Sequence, residues 1–146
     1  MPPRPALPES ISGCTLQGTI REGPAVLVVR ARDTLGLPLD FHLFQGDLLE
    51  GRLPKASFFD QVRATASLHH ERLAAVVNAG EKGPWWFVAC KGSEGATLAD
   101  LFRRGHLDEE RVLGICAGVA EGLAVLEGAG LRHGGIEPGA VALPGA

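Results

Sequence analysis

Apolar and polar residues alternate with a period of two over residues 39–44, Leu-Asp-Phe-His-Leu-Phe, which predicts a strand with one buried face. Residues 24–31, rich in β-branched side chains, predict a second strand, and residues 14–20 a weaker one. Leu35-Gly36-Leu37-Pro38 reads as a turn, and residues 45–54, with Gly46, Gly51 and Pro54, as a loop. The period then becomes helical. Ser57 is placed as the N-cap of a helix running to about Leu68. Residues 73–77 and 85–90 predict two more strands, joined by the turn-forming stretch 78–84. Residues 97–104 predict a short helix and residues 108–126 a long one. The long helix has Val112, Ile115, Cys116, Val119, Leu123 and Leu126 on one stripe and is ended by Gly128 and Gly130. Residues 1–11, with Pro2, Pro3, Pro5 and Pro8, read as a disordered leader. The class is α+β: a five-stranded antiparallel sheet with one packed helix, followed by a short and a long helix.

Composition narrows the function classes. At 146 residues and 45% hydrophobic, the chain can bury one modest core. A net charge of −3 offers no basic field for nucleic acid or anionic lipid. Cys14, Cys90 and Cys116 stand far apart with no C-x-x-C pair, which argues against zinc. An odd cysteine count fits a reducing cytoplasm. Residues 1–8 have no apolar core of a secretion signal or anchor, and no run approaches the roughly 20 apolar residues that span a bilayer.

Several landmarks follow one another in order. Phe58 opens the first helix, and Leu68-His69-His70 follows it. Phe87-Val88-Ala89-Cys90 is an apolar strand, and Glu94-Gly95-Ala96-Thr97-Leu98 leads into the short helix. Gly130-Leu131-Arg132-His133 then enters a Gly- and Pro-containing loop ending near Leu143. In this order and spacing the chain resembles protein kinases, the bacterial Ser/Thr kinases in particular, over about residues 14–143. The resemblance implies a kinase-like amino-terminal lobe over 12–91 after the leader 1–11. It also implies a truncated carboxy-terminal lobe over 92–146, ending before the magnesium-binding Asp-Phe-Gly and the later helices.

The same resemblance locates the catalytic positions and finds them substituted. His133 and Pro138 keep the catalytic loop in register, but Gly135 stands where the base Asp is expected and Ala140 where the metal-binding Asn is expected. Glu137 replaces a Lys. The three glycine-loop positions are Arg21, Gly23 and Val26, and one glycine cannot form the phosphate cradle; Gly23-Pro24 also reads as an ordinary hairpin turn. In Leu39-Asp40-Phe41-His42, His42 takes the place of the phosphate-binding Lys with a shorter side chain lacking a fixed charge at neutral pH. Asp40 replaces a small residue that touches adenine and puts a carboxylate where a polyanion would bind. Gln61 replaces the Glu that pairs with the Lys, so His42 and Gln61 either form a neutral pair or both face solvent. Cys90 is the gatekeeper, and Lys91 and Gly92 follow it in the hinge, where purine contacts are made mainly by backbone. A residual ATP or purine site therefore stays open. His69-His70 has no ligand set at metal spacing, so no metal is expected. Trp85 and Trp86 read as packing residues.

A positioned general base supplies about 10²–10⁴-fold, and metal and phosphate clamps at least as much. With base, metal-binding Asn and phosphate-binding Lys all replaced, the expectation is no enzyme activity. The chain then reads as a pseudokinase, a regulatory or protein-interaction module of the cytoplasm without cofactor. The alternatives are a nucleotide-binding switch or atypical kinase with weak ATP binding, and a fragment of a longer kinase-like protein. The expected partner is a protein or a second copy, with no nucleic acid and no membrane. Its seat would be the long helix, where Leu113, Ala117, Ala120 and Ala124 form a second apolar edge. Gly114, Gly118 and Gly122 recur there every four residues, each costing about 1 kcal/mol against Ala. Close approach by another helix and compositional bias account for the three equally.

Overall fold

The alternation at residues 39–44 becomes the middle of the sheet. The computed structural model describes residues 3–105, 108–131 and 138–143. They fall into two compact units, Met1–Ala66 with Val76–Gly92, and Ser67–Ala75 with Ser93–Ala146. The first holds six strands: β1 (Ser10–Ile11), β2 (Cys14–Glu22), β3 (Val26–Arg32), β4 (Pro38–Gln45), β5 (Val76–Lys82) and β6 (Trp85–Lys91). Their order is β1-β2-β3-β4-β6-β5, and each neighbouring pair is antiparallel. Phe41 and Leu43 of β4 are fully buried among Leu27, Val29 and Ala31 of β3 and Trp85, Phe87 and Ala89 of β6. The opposite face of β4 carries Asp40, His42 and Phe44, because successive side chains alternate.

Two helices belong to this unit, α1 (Gly46–Glu50) and α2 (Lys55–Ala66). Phe58 anchors α2 to the second sheet face: its ring lies 5.1 Å from Phe44 and 5.3 Å from Trp86, centroid to centroid. Lys55 adds an ion pair to Glu81 of β5 at 2.9 Å.

Five expectations are corrected here. The sheet has six strands, not five, because Ser10–Ile11 add a short edge strand and Ile11 is buried in the core at 1% exposure. The leader is therefore not a disordered run of eleven residues: its end is a strand, and Trp85 Nε1 donates to the Ala6 carbonyl at 3.2 Å. Residues 45–54 are not all loop. Gly46 starts α1, and a Cβ there would overlap the Trp86 indole. The stretch 78–84, expected as a turn, is mostly β5. Gly80 lies within it because the Phe87 ring comes 3.2 Å from where its Cβ would sit, and the turn itself shrinks to Gly83-Pro84, with Gly83 at φ +57°. Ser57 is also no cap: the Pro54 carbonyl accepts the first helical bond from Phe58 N, and α2 starts at Lys55.

The second unit contains α3 (Leu98–Arg104) and α4 (Glu109–Gly128), then a 3-10 turn at Pro138–Ala140. Thr97 and Asp100 form a reciprocal capping box, and the backbone hydrogen bond from Thr97 holds the Asp100 carboxyl below its usual range. Gly105, at φ +73°, closes α3 in the left-handed conformation. Asp108 caps α4 by accepting from Arg111 N at 2.7 Å. Leu98 N donates to Val141 O and Leu143 N to Ala96 O, so the segment after the 3-10 turn lies against the start of α3.

The segment Ser67–Ala75 lies on α4. A Cβ at Gly122 would stand 3.1 Å from the Arg72 carbonyl oxygen and 3.3 Å from Leu73 Cδ2, and one at Gly118 3.3 Å from the Arg72 guanidinium. Arg72 also pairs with Glu121 of α4 at 3.2 Å. Gly114 has open space around it. The three glycines therefore separate in equilibrium unfolding by urea. Gly114→Ala is expected to raise stability by up to about 1 kcal/mol, the helix propensity difference. Gly122→Ala is expected to lower it by about 1–3 kcal/mol, because backbone must move to admit the methyl group.

Candidate functional site

The positions that the kinase resemblance singles out in the first unit lie mostly on the second face of the sheet. Hairpin pairing about the turn near Leu35 puts Arg30 opposite Asp40, and the β4–β6 ladder puts Asp40 opposite Cys90. The three make one cross-strand row. The Arg30 Nε–H donates to Asp40 Oδ1 at 2.8 Å, and both side chains are about three-quarters buried, with 22% and 26% exposed. Gly92 closes the end of the row. Its N–H donates to the Pro38 carbonyl at 3.0 Å, and a Cβ there would stand 3.2 Å from Asp40 Oδ1. Where the resemblance implies a small residue against a purine, the chain holds a carboxylate already bound by its own guanidinium.

The Cys90 thiol feels this row. Burial, and secondarily the Asp40 charge, push it up from 9.0 to about 11. It is thus a protonated, weakly nucleophilic group at neutral pH. Lys91 points out to solvent at the end of β6. His42 occupies the next row, between Val28 and Val88, and is half-buried. Gln61 is exposed on α2.

The glycine-loop position is a closed hairpin tip. Gly23 N–H donates to the Val26 carbonyl at 2.8 Å, and Glu22 pairs with Leu27 in the ladder. That amide is committed within the turn. Phosphate binding through such a loop requires backbone N–H groups that point outward. In the second unit Ala140 ends the 3-10 turn, and its methyl side chain offers no donor atom to a metal. His133, Gly135 and Glu137 lie outside the described residues. Among the described residues no three His, Cys, Asp or Glu side chains gather to hold a metal ion.

The long-helix surface differs from expectation. Gly118 and Gly122 are buried under Arg72 and Leu73 of the same chain, so they present no face to a partner. Gly114 and the outer edge remain open: Leu113 is 62% exposed, and Ala117, Ala120 and Ala124 are exposed. No helix among the described residues is long and apolar enough to cross a membrane.

Arg30 is the residue that the sequence reading missed. Its signal was present: it and Asp40 sit at equal distances from the turn, and opposite charges at such positions pair across a hairpin.

An antiparallel sheet with a helix on one face is compatible with the amino-terminal lobe of a protein kinase. Sequence comparison supports a distant kinase-like relationship. The chain is 27% identical over 132 residues to the serine/threonine-protein kinase AfsK of Streptomyces coelicolor, covering 90% of this chain and 16% of that kinase. It is 27% identical over 85 residues to the serine/threonine-protein kinase PAK 4 of Mus musculus, covering 58% of this chain and 14% of that one. The chain thus spans about one-sixth of the length of these curated relatives. No family model matches it.

The Cys90 row gives a pH signature. Its thiol sits near 9.0 unfolded and about 11 folded, so the fold favours the neutral form. Stability from this group is complete below pH 9 and is lost as pH rises through 11, by at most ~2–3 kcal/mol. Thermal midpoints measured from pH 8 to 11 should fall, and Cys90→Ala should flatten that fall. An unchanged slope in the variant contradicts the assignment.

Proposed function

We propose that this chain is a catalytically inactive kinase-like module that acts by binding a protein rather than by transferring phosphate. The observation that bears most weight is the Arg30–Asp40 ion pair, which occupies the sheet face that a nucleotide base would need. Three further features support the reading. Gly23 spends its amide inside the hairpin, His42 stands at the phosphate-lysine position, and Ala140 stands at the metal-ligand position. Each removes an electrostatic contribution on which phosphoryl transfer depends. Three free thiols suit the reducing cytoplasm. The short share of each relative that is matched fits a kinase-like fragment as well as a free-standing module.

Binding to the native state alone must raise the unfolding midpoint, by ~2.7 kcal/mol of stability at a hundred times Kd. Scanning calorimetry with 5 mM ATP, with and without magnesium, is expected to leave the midpoint unmoved. Incubation with radiolabelled ATP is expected to give no phosphoprotein above a mock preparation. A magnesium-dependent rise of several degrees would support a nucleotide switch instead, and incorporated phosphate would end the non-catalytic reading.

A further inference from the structure

Trp85 opens β6 at 1% exposure, and a buried indole N–H must find an acceptor. It donates to the Ala6 carbonyl at 3.2 Å, 79 positions away. Two residues before Ala6, the Arg4 guanidinium pairs with the Glu22 carboxylate and donates to the Gly23 carbonyl at 3.4 Å. One short segment therefore touches both the start of β6 and the tip of the β2–β3 hairpin. Residues 3–8 read Pro-Arg-Pro-Ala-Leu-Pro, and Pro5 and Pro8 are half-buried.

A segment with three prolines lacks the N–H groups for a strand ladder. It holds an extended form at low entropic cost, and its carbonyls need donors from outside. An indole N–H aimed at such a carbonyl, with a carboxylate placed for a nearby Arg, is the chemistry by which grooves take up proline-rich peptides. We propose that Trp85 and the hairpin tip Glu22–Gly23 form a docking site for an extended, proline-rich, arginine-bearing segment of a protein partner. Residues 3–8 fill that site in cis.

The cis occupant is lightly held. An ion pair with Glu22 62% exposed, a long hydrogen bond from Arg4 to the Gly23 carbonyl and one indole hydrogen bond secure it, whereas Ile11 further along is core. Residues 3–8 can therefore detach while Ser10–Ile11 stay paired, a local opening well short of unfolding. The tether gives the cis segment a millimolar effective concentration, so an outside segment enters only when the leader is weakened or displaced. This inference stands independently of the non-catalytic reading.

Nuclear magnetic resonance of the 15N-labelled 146-residue chain tests it, with the Trp86 indole as internal control. In the wild type the Trp85 indole N–H should be protected, and 1 mM synthetic peptide of residues 3–9 should shift it little. In Arg4→Glu the indole should exchange at least tenfold faster, and the same peptide should produce a saturable shift. The peptide bearing Arg4→Glu should bind at least tenfold more weakly. Glu22→Arg, with an unchanged near-ultraviolet spectrum, should reverse that preference. Unchanged indole protection in Arg4→Glu overturns the proposal. So do an exposed indole that ignores the peptide, equal binding of the two peptides, and a leader-exchanged dimer of the wild type in sedimentation, which would assign the site to a second copy.

Discussion

Strand β4 is bounded on both sides by other strands, with one face buried and the other partly buried, and the rest of the first unit is arranged around satisfying those two faces. On one face the requirement is apolar: Phe41 and Leu43 need partners, and β3 and β6 supply Leu27, Val29, Phe87 and Ala89. On the other face β4 carries Asp40, and a carboxylate that is about three-quarters buried is costly without a charge-assisted partner. Arg30 answers it from the neighbouring strand at 2.8 Å. Gly92 is then confined to a residue without a side chain, and the Cys90 thiol is kept protonated beside the pair.

That arrangement connects stability with function. The kinase resemblance implies that the corresponding face would serve a nucleotide. In this chain the face completes itself. On the proposed reading, the Arg30–Asp40 pair uses the charge that would otherwise meet a polyanion, and the hairpin tip uses the Gly23 amide that would otherwise meet a phosphate. Exposed surface remains at the outer edge of α4, with Leu113 and Ala117, and the chain's own residues 3–8 fold back onto the start of β6 at Trp85.

Much of this was legible in the sequence, and the misses have identifiable causes. The period-two run at 39–44 fixed the central strand and put Asp40 and His42 on one face. Thr97 and Asp108 marked the starts of two helices correctly to within a residue because their caps are local side-chain chemistry. Long-range packing was invisible. Ser10–Ile11 are too few residues to show a period, and only Ile11 reaching the core makes them a strand. Gly80 looked like a turn residue because its reason for being glycine is the Phe87 ring across the ladder. Gly118 and Gly122 looked like a partner face because their true neighbours, Arg72 and Leu73, lie some 45–50 positions away along the chain. The catalytic-loop positions His133, Gly135 and Glu137 were readable only as substitutions, since their meaning depends on what they replace.

The claim that the second face of β4 is satisfied from within the chain is tested most directly by a double-mutant cycle on Arg30→Met and Asp40→Ala, read by urea unfolding. The account predicts that each single change destabilises and that the double change costs less than their sum, with a coupling of at least ~1 kcal/mol. Additive losses, with coupling below about 0.3 kcal/mol, would mean that the pair is an incidental surface contact and would contradict it.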